Sequence, residues 1–213
     1  ILDYQVDGLI LASVALSSDI ADRCRATGVP VVLFNRRQGG AEERAVVSDN
    51  AAGGRLVAEH LAATGHRRIA YLAGDEAAST QRDREAGFLG GLAAAGLPLH
   101  ARAVGDYDPD RAREATRALF AGPDRPDALF AANDLMAFMA MDVLRAEFGL
   151  RVPGDVSVVG FDDVPVAAWP AYDLTSVRQD AEAMVAATVE VLLEAIAGRP
   201  TPPRVLPVTL VER

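Results

Sequence analysis

Short apolar runs that stop on polar side chains alternate with amphipathic stretches through nearly all of the 213 residues, which restricts the possible folds more than any other feature. The clearest run is 155–165, Asp-Val-Ser-Val-Val-Gly-Phe-Asp-Asp-Val-Pro, rich in β-branched residues and closed by two carboxylates and a proline. Residues 127–134 (Asp-Ala-Leu-Phe-Ala-Ala-Asn-Asp) and 68–75 (Arg-Ile-Ala-Tyr-Leu-Ala-Gly-Asp) finish the same way. Continuous apolar runs suit strands covered on both faces, as in parallel sheets, whose carboxyl ends line the crevice where ligands sit. Asp162 therefore either faces a ligand or closes a solvated turn, and the recurrence of the pattern favours one shared polar edge.

Taken in order, residues 6–12 read as a strand. Ser17 or Ser18 can cap a helix that carries Ile20, Ala21 and Cys24 on one face and stops at Gly28. A strand at 31–34 ends on Asn35 and Arg36, a polar loop spans 38–44, and a short strand follows at 45–47. Asp49 or Asn50 can cap a helix over 51–64, in which Leu56, Val57, His60 and Leu61 recur at helical spacing. Strands at 68–73, 101–104 and 128–132 alternate with helices at 82–95 and 109–120. The helix at 134–148 is apolar on more than one face, through Leu135, Met136, Phe138, Met139, Met141, Val143 and Leu144, so it is either deeply buried or meets another subunit. After the strand ending at Asp162 come a strand at 174–177, a helix at 181–197 and a last strand near 205–211. This alternation predicts an α/β fold with parallel sheets.

Half of the residues are apolar, enough for one large core or two small ones. A net charge of −9 with no lysine argues against this chain gripping a phosphate backbone by itself. The one cysteine, Cys24, cannot form an internal disulfide, in keeping with a reducing, cytoplasmic compartment. No apolar run reaches the ~18 residues of a membrane span, and no signal peptide is present. The chain opens on Ile1 rather than methionine, as expected of a fragment.

The histidines, His60, His66 and His100, are not joined by paired cysteines or a His-Glu-x-x-His string, so no metal site, cofactor or catalytic residue is predicted. Gly53-Gly54 and 87–91 lie inside helices, where close packing explains them better than a phosphate loop. What remains is a binding set, Arg84, Asn133 and Asp162 with Gln179 nearby, and aromatics such as Phe130, Phe161 or Trp169 to cover a ring face. Such groups suit an uncharged polyol. The alternative for Arg84 is an ion pair with Asp162 or Glu85 and no ligand.

Several strings together resemble the effector domain of the lactose repressor and galactose repressor (LacI/GalR) family of transcriptional regulators. They are Val-Asp-Gly-Leu-Ile-Leu (6–11), Gly-His-Arg-Arg-Ile-Ala-Tyr-Leu-Ala-Gly (65–74), Arg-x-x-Gly-Phe (84–88) and Ala-Ala-Asn-Asp-Leu-Met-Ala (131–137). Val-Pro-Gly-Asp-Val-Ser-Val-Val-Gly-Phe-Asp-Asp (152–163), Leu-Thr-Ser-Val-Arg-Gln (174–179) and Leu-Val-Glu-Arg (210–213) complete the set in the family's order. The resemblance implies a periplasmic-binding-protein-like fold of type I, two Rossmann-like subdomains joined by three crossings and closing over a small molecule. Its boundaries would be 1–66 with 180–207, and 67–179 with 208–213. It implies that Arg84, Asn133 and Asp162 hold sugar hydroxyls, that Phe130 stacks on the ligand, that Gln179 is a hinge-side contact, and that Ser13, Asn35 and Asp49 contribute from the first subdomain. It further implies a homodimer covering Leu135, Phe138, Met139 and Val143, and a DNA-reading helix-turn-helix, with the first strand and helix of the first subdomain, ahead of Ile1. Operator DNA would then be met only through that missing part, with no membrane involved. A sugar-binding protein of a transport system shares the fold and is the main alternative; a doubly wound hydrolase using Asp162 and Asp163 is the other.

Overall fold

A computed structural model describes residues 6–12, 26, 28–38 and 43–213. Along the chain the described elements are β1 (Leu9–Ala12), β2 (Val31–Phe34), β3 (Ala45–Ser48), α1 (Asn50–Ala63), β4 (Ile69–Ala73), α2 (Ser79–Ala94), β5 (Ala101–Val104) and α3 (Pro109–Phe120). There follow β6 (Ala128–Ala131), α4 (Asp134–Ala146), β7 (Ser157–Asp162), a short 3-10 helix (Pro165–Ala168), β8 (Thr175–Gln179), α5 (Ala181–Ile196), β9 (Arg204–Leu206) and β10 (Val208–Val211). The chain divides into two compact units, residues 1–49 with 180–207 and residues 50–179 with 208–213. The helix expected near Ile20, Ala21 and Cys24, and Ser13, lie outside the described residues.

In the smaller unit the sheet order is β1-β2-β3-β9, every pair parallel. Its side chains alternate with the strand period of two. Val31, Leu33 and Ala45 gather with Leu9 and Leu11 on one face, whereas Val32 and Val46 pack with Ala187 and Val191 of α5 on the other. Asp180 caps α5 by accepting the Ala183 amide at 2.9 Å, satisfying a donor that the first turn leaves open.

In the larger unit the order is β10-β8-β7-β6-β4-β5, parallel except for β10 against β8. The chain leaves β4 for β5 on one side and returns to β6 on the other. In open α/β sheets such a reversal, here at the carboxyl ends of β4 and β6, is where ligands bind. Helices α1 and α2 approach to backbone contact: a Cβ on Gly54 would lie 2.0 Å from the Arg84 carbonyl oxygen, and one on Gly87 would lie 1.9 Å from that of Ala51. The helical glycines are packing devices, each absent side chain admitting the other helix's backbone.

Several expectations are corrected. The first boundary falls between Asp49 and Asn50 rather than at residue 66, because α1 buries Val57, Ala58 and Leu61 in the larger unit's core. The last strand is two strands in two sheets, β9 and β10, separated at Pro207, which has no N–H to give a ladder. Helix α2 begins at Ser79 rather than residue 82, since Ser79, Thr80 and Gln81, read as loop for their polarity, are buried. Helix α4 owes its apolar surplus mainly to its own chain: Phe138, 6% exposed, stacks on Tyr172 at 4.4 Å, and Val143 is 2% exposed. Leu135 is exposed and Met139 half-buried, so Phe138 and Val143 are withdrawn from any partner face.

Candidate functional site

The polar ends of β6, β7 and β8 meet the start of α2 at the carboxyl edge of the larger sheet. Arg84 projects from α2 with its side chain 4% exposed. Its Nε donates to Asn50 Oδ1 at 2.8 Å, its Nη1 donates to the Ala132 carbonyl at 2.5 Å, and its guanidinium lies 3.7 Å from the centroid of the Phe161 ring. Only Nη2 reaches the sheet edge, where it stands 3.4 Å from Asp162 Oδ1. Arg84 is therefore largely a brace beneath the site, with one nitrogen left at its floor rather than a free fork.

Asp162 ends β7 with φ 121°, a strained value for a residue with a side chain. Its Oδ1 also accepts the Gln179 amide at 2.7 Å, which ties the end of β8 to the same carboxylate. The Gln179 Oε1 is buried with no hydrogen-bond partner. Asn133 caps α4, accepting the Met136 amide at 3.0 Å, which spends its oxygen and leaves the NH2 group as a donor. Arg84, Asp162 and Gln179 are thus joined by direct bonds, and Asn133 adjoins the carbonyl of Ala132 that Arg84 holds.

Phe130, which the resemblance casts as a stacking residue, has no exposed surface in this structure. It is fully buried in β6, packed between Tyr71 at 5.2 Å and Phe88 at 4.9 Å, because an inward position on a central strand points into the core. An aromatic that the sequence reading missed, Tyr107, occupies the edge instead. It follows β5 with φ 56°, its ring covers Gly74 so closely that a Cβ there would lie 2.1 Å from Cζ, and its hydroxyl is buried without a partner. Gln81 was also missed: its Oε1 accepts the Gly74 amide at 2.7 Å and the Tyr71 hydroxyl at 2.9 Å, fixing the turn after β4. The usable signal for Tyr107 was its place, an aromatic just beyond a strand's carboxyl end beside the point of reversal.

In the smaller unit Asn35 follows β2 with φ 55°, and its Oδ1 is buried without a hydrogen-bond partner. Asp49 follows β3, its amide donating to the Leu206 carbonyl at 2.7 Å. Both stand at the carboxyl edge of their own sheet. Beneath the Asp162 turn lies a further acid, Asp134, whose burial pushes its carboxyl up to about 7, against the lowering effect of bonds from Ser176 and Val164. Among the described residues no group of histidines, cysteines and acids could hold a metal ion, and no helix is long and apolar enough to cross a membrane.

Residues 58–213 match the family described as periplasmic binding protein-like domain. The HTH-type transcriptional regulator CelR of Thermobifida fusca is 39% identical over 202 residues, 93% of this chain but 59% of that protein, so the chain spans about three fifths of its relative's length. A transcriptional regulator CelR–cellobiose complex superposes with a TM-score of 0.91 at 37% identity, covering 97% of this chain and 65% of that one. The lac repressor dimer bound to operator and the anti-inducer ONPF superposes with a TM-score of 0.89 at 32% identity, covering 100% of this chain and 74% of that one. These relatives are transcriptional regulators rather than enzymes. With this fold, this strand-end site and these relatives, the chain belongs to the periplasmic binding protein-like domain family, in the form carried by regulators of the LacI/GalR family.

Proposed function

We propose that the chain is the effector-binding part of a transcriptional regulator and that its effector is an uncharged sugar or polyol. The observation that carries this reading is the bonded set Arg84, Asp162 and Gln179 with Asn133 beside it, a group of acceptors and amide donors rich in hydroxyl-binding capacity. Tyr107 supplies an aromatic face and an unpartnered hydroxyl at the same edge. The similarity to CelR, whose complex contains cellobiose, supports a sugar. Asn35 and Asp49 we assign to the opposite side of the ligand, so that binding closes the cleft between the two units.

No bond is made or broken in this scheme. The ligand binds the closed arrangement better than the open one, and that difference in affinity alters how a dimer presents its DNA-reading parts, which this chain does not include. The similarity to the lac repressor dimer on its operator supports that coupling. Exposed Leu135, Val164 and Trp169, with Met139, form the partner face we assign in place of Phe138 and Val143.

A thermal-shift screen over cellobiose, glucose, ribose, linear polyols and purine bases tests the reading. A sugar present at about 100 times its Kd stabilises the fold by about 2.7 kcal/mol, readily seen as a rise in Tm. Asp162→Ala then lowers affinity by about 2–4 kcal/mol in calorimetry, as expected for a desolvated acceptor of hydroxyls. Binding of a purine and of no sugar, or unchanged affinity in the Asp162 variant, overturns it.

A further inference from the structure

Asp134 has no exposed surface and belongs to no ion pair among the described residues. One of its carboxylate oxygens accepts the Val164 amide at 2.8 Å and the other accepts the Ser176 hydroxyl at 2.5 Å. The Ser176 oxygen in turn accepts the Asp163 amide at 3.1 Å. Both amides that follow Asp162 are therefore tied to one buried carboxyl, one directly and one through a hydroxyl. The ties bear on the site because Asp162 (φ 121°) and Asp163 (φ 53°) hold backbone conformations that residues with side chains keep only when their surroundings impose them. Gly160 makes the room: a Cβ there would lie 2.2 Å from Asp134 Oδ1.

We propose that Asp134 is a positioning residue for the effector site, holding through Val164 and Ser176 the strained turn that aims Asp162, and that the charge on Asp134 sets how tightly the site grips an uncharged ligand. The second half of this statement rests on the effector function proposed above. The acids facing Asp134 are Asp162 and Asp163, both at the end of β7. The cations nearby are committed to those acids, Arg84 to Asp162 and Arg178 and Arg213 to Asp163. On the helices packed alongside, Arg117 is paired with Glu147 and Arg145 bonds the Ala171 carbonyl. Burial away from water, with the two neighbouring acids adding to it, is what lifts the Asp134 carboxyl to about 7. A charged carboxylate accepts from both partners, whereas the protonated acid must donate with one oxygen and so reverses the Ser176 hydroxyl. The bracket is tighter when charged.

The experiment compares this chain with Asp134→Asn and Ser176→Ala. Without ligand, the amide resonances of Asp163 and Val164 are followed by heteronuclear NMR from pH 5.5 to 8.5. They should titrate together with a midpoint near 7 in the wild type and stay flat in Asp134→Asn, while Ser176→Ala uncouples Asp163 and leaves Val164 titrating. With cellobiose as the probe, wild-type affinity should rise roughly fivefold or more between pH 6 and 8 and be independent of pH in Asp134→Asn. Resonances insensitive to pH in the wild type, or the same affinity profile in both proteins, overturn the proposal. Titrating amides with no response to cellobiose or any other sugar in the screen would instead defeat the effector function and leave the bracket standing.

Discussion

Replacing Arg84 by methionine removes the donors beneath the candidate site while keeping an unbranched, apolar stem. Two buried, charge-assisted bonds are lost, to Asn50 at 2.8 Å and to the Ala132 carbonyl at 2.5 Å, each contributing about 1.5–3 kcal/mol. The contact to Asp162 at 3.4 Å adds little, since the Asp162 side chain is 29% exposed and screened pairs of that kind contribute ~0.5 kcal/mol. Methionine regains apolar contact with the Phe161 ring, on which the guanidinium rests at 3.7 Å, returning about 1–2 kcal/mol. The net loss is about 1.5–5.5 kcal/mol, or a fall in Tm of roughly 5–16 °C for a chain of this size. Trp169, the single tryptophan, lies in the larger unit and reports its unfolding by fluorescence, with far-UV circular dichroism following both units. Denaturant titrations should show a lower midpoint at unchanged slope. A loss below ~0.5 kcal/mol would refute the reasoning, because two buried acceptors cannot lose a cationic donor without cost.

Gly54→Ala should destabilise the larger unit by about 1–3 kcal/mol, since its Cβ would meet the Arg84 carbonyl oxygen at 2.0 Å. Gly90→Ala, in the same helix pair but with nothing within 4 Å, should be neutral or stabilising by ~0.5–1 kcal/mol; chemical denaturation compares the two, and equal effects would count against the close approach. Leu135→Asp should weaken self-association in sedimentation velocity without unfolding, whereas Phe138→Asp should unfold the larger unit, because its side chain is 6% exposed. Asp134 adds a pH dependence to stability: its folded pKa is raised to about 7, so the folded state holds a proton that the unfolded chain has released. Its contribution is full in acid, declines as pH rises from the ordinary carboxylate range to about 7, and is flat above. The stability of Asp134→Asn relative to wild type should therefore rise over that window, and a constant difference would contradict the sign.

Strand runs such as Val31–Phe34 and Ala128–Ala131 were legible because a fully apolar segment bounded by turn residues has few other uses, and with the intervening helices they sufficed for parallel α/β architecture. The helical glycines were legible too, since a residue without a side chain in mid-helix implies that something passes close by. Asp162 and Gln179, placed by the ends of their own strands, stand together in the structure. Patterning could not say what covers each element. Phe130 and Tyr107 look equally able to stack on a ligand, yet one is inside a sheet and the other beyond its edge. Phe138 and Val143 look like a partner face until Tyr172 and the rest of the larger unit bury them. Helix α1 follows β3 in the chain but packs with α2, and Ser79 to Gln81 look like loop until burial makes them helix. Local periodicity records which face of a segment avoids water; which neighbour provides the cover depends on contacts distant in the chain, and those arise only when the strands and helices assemble.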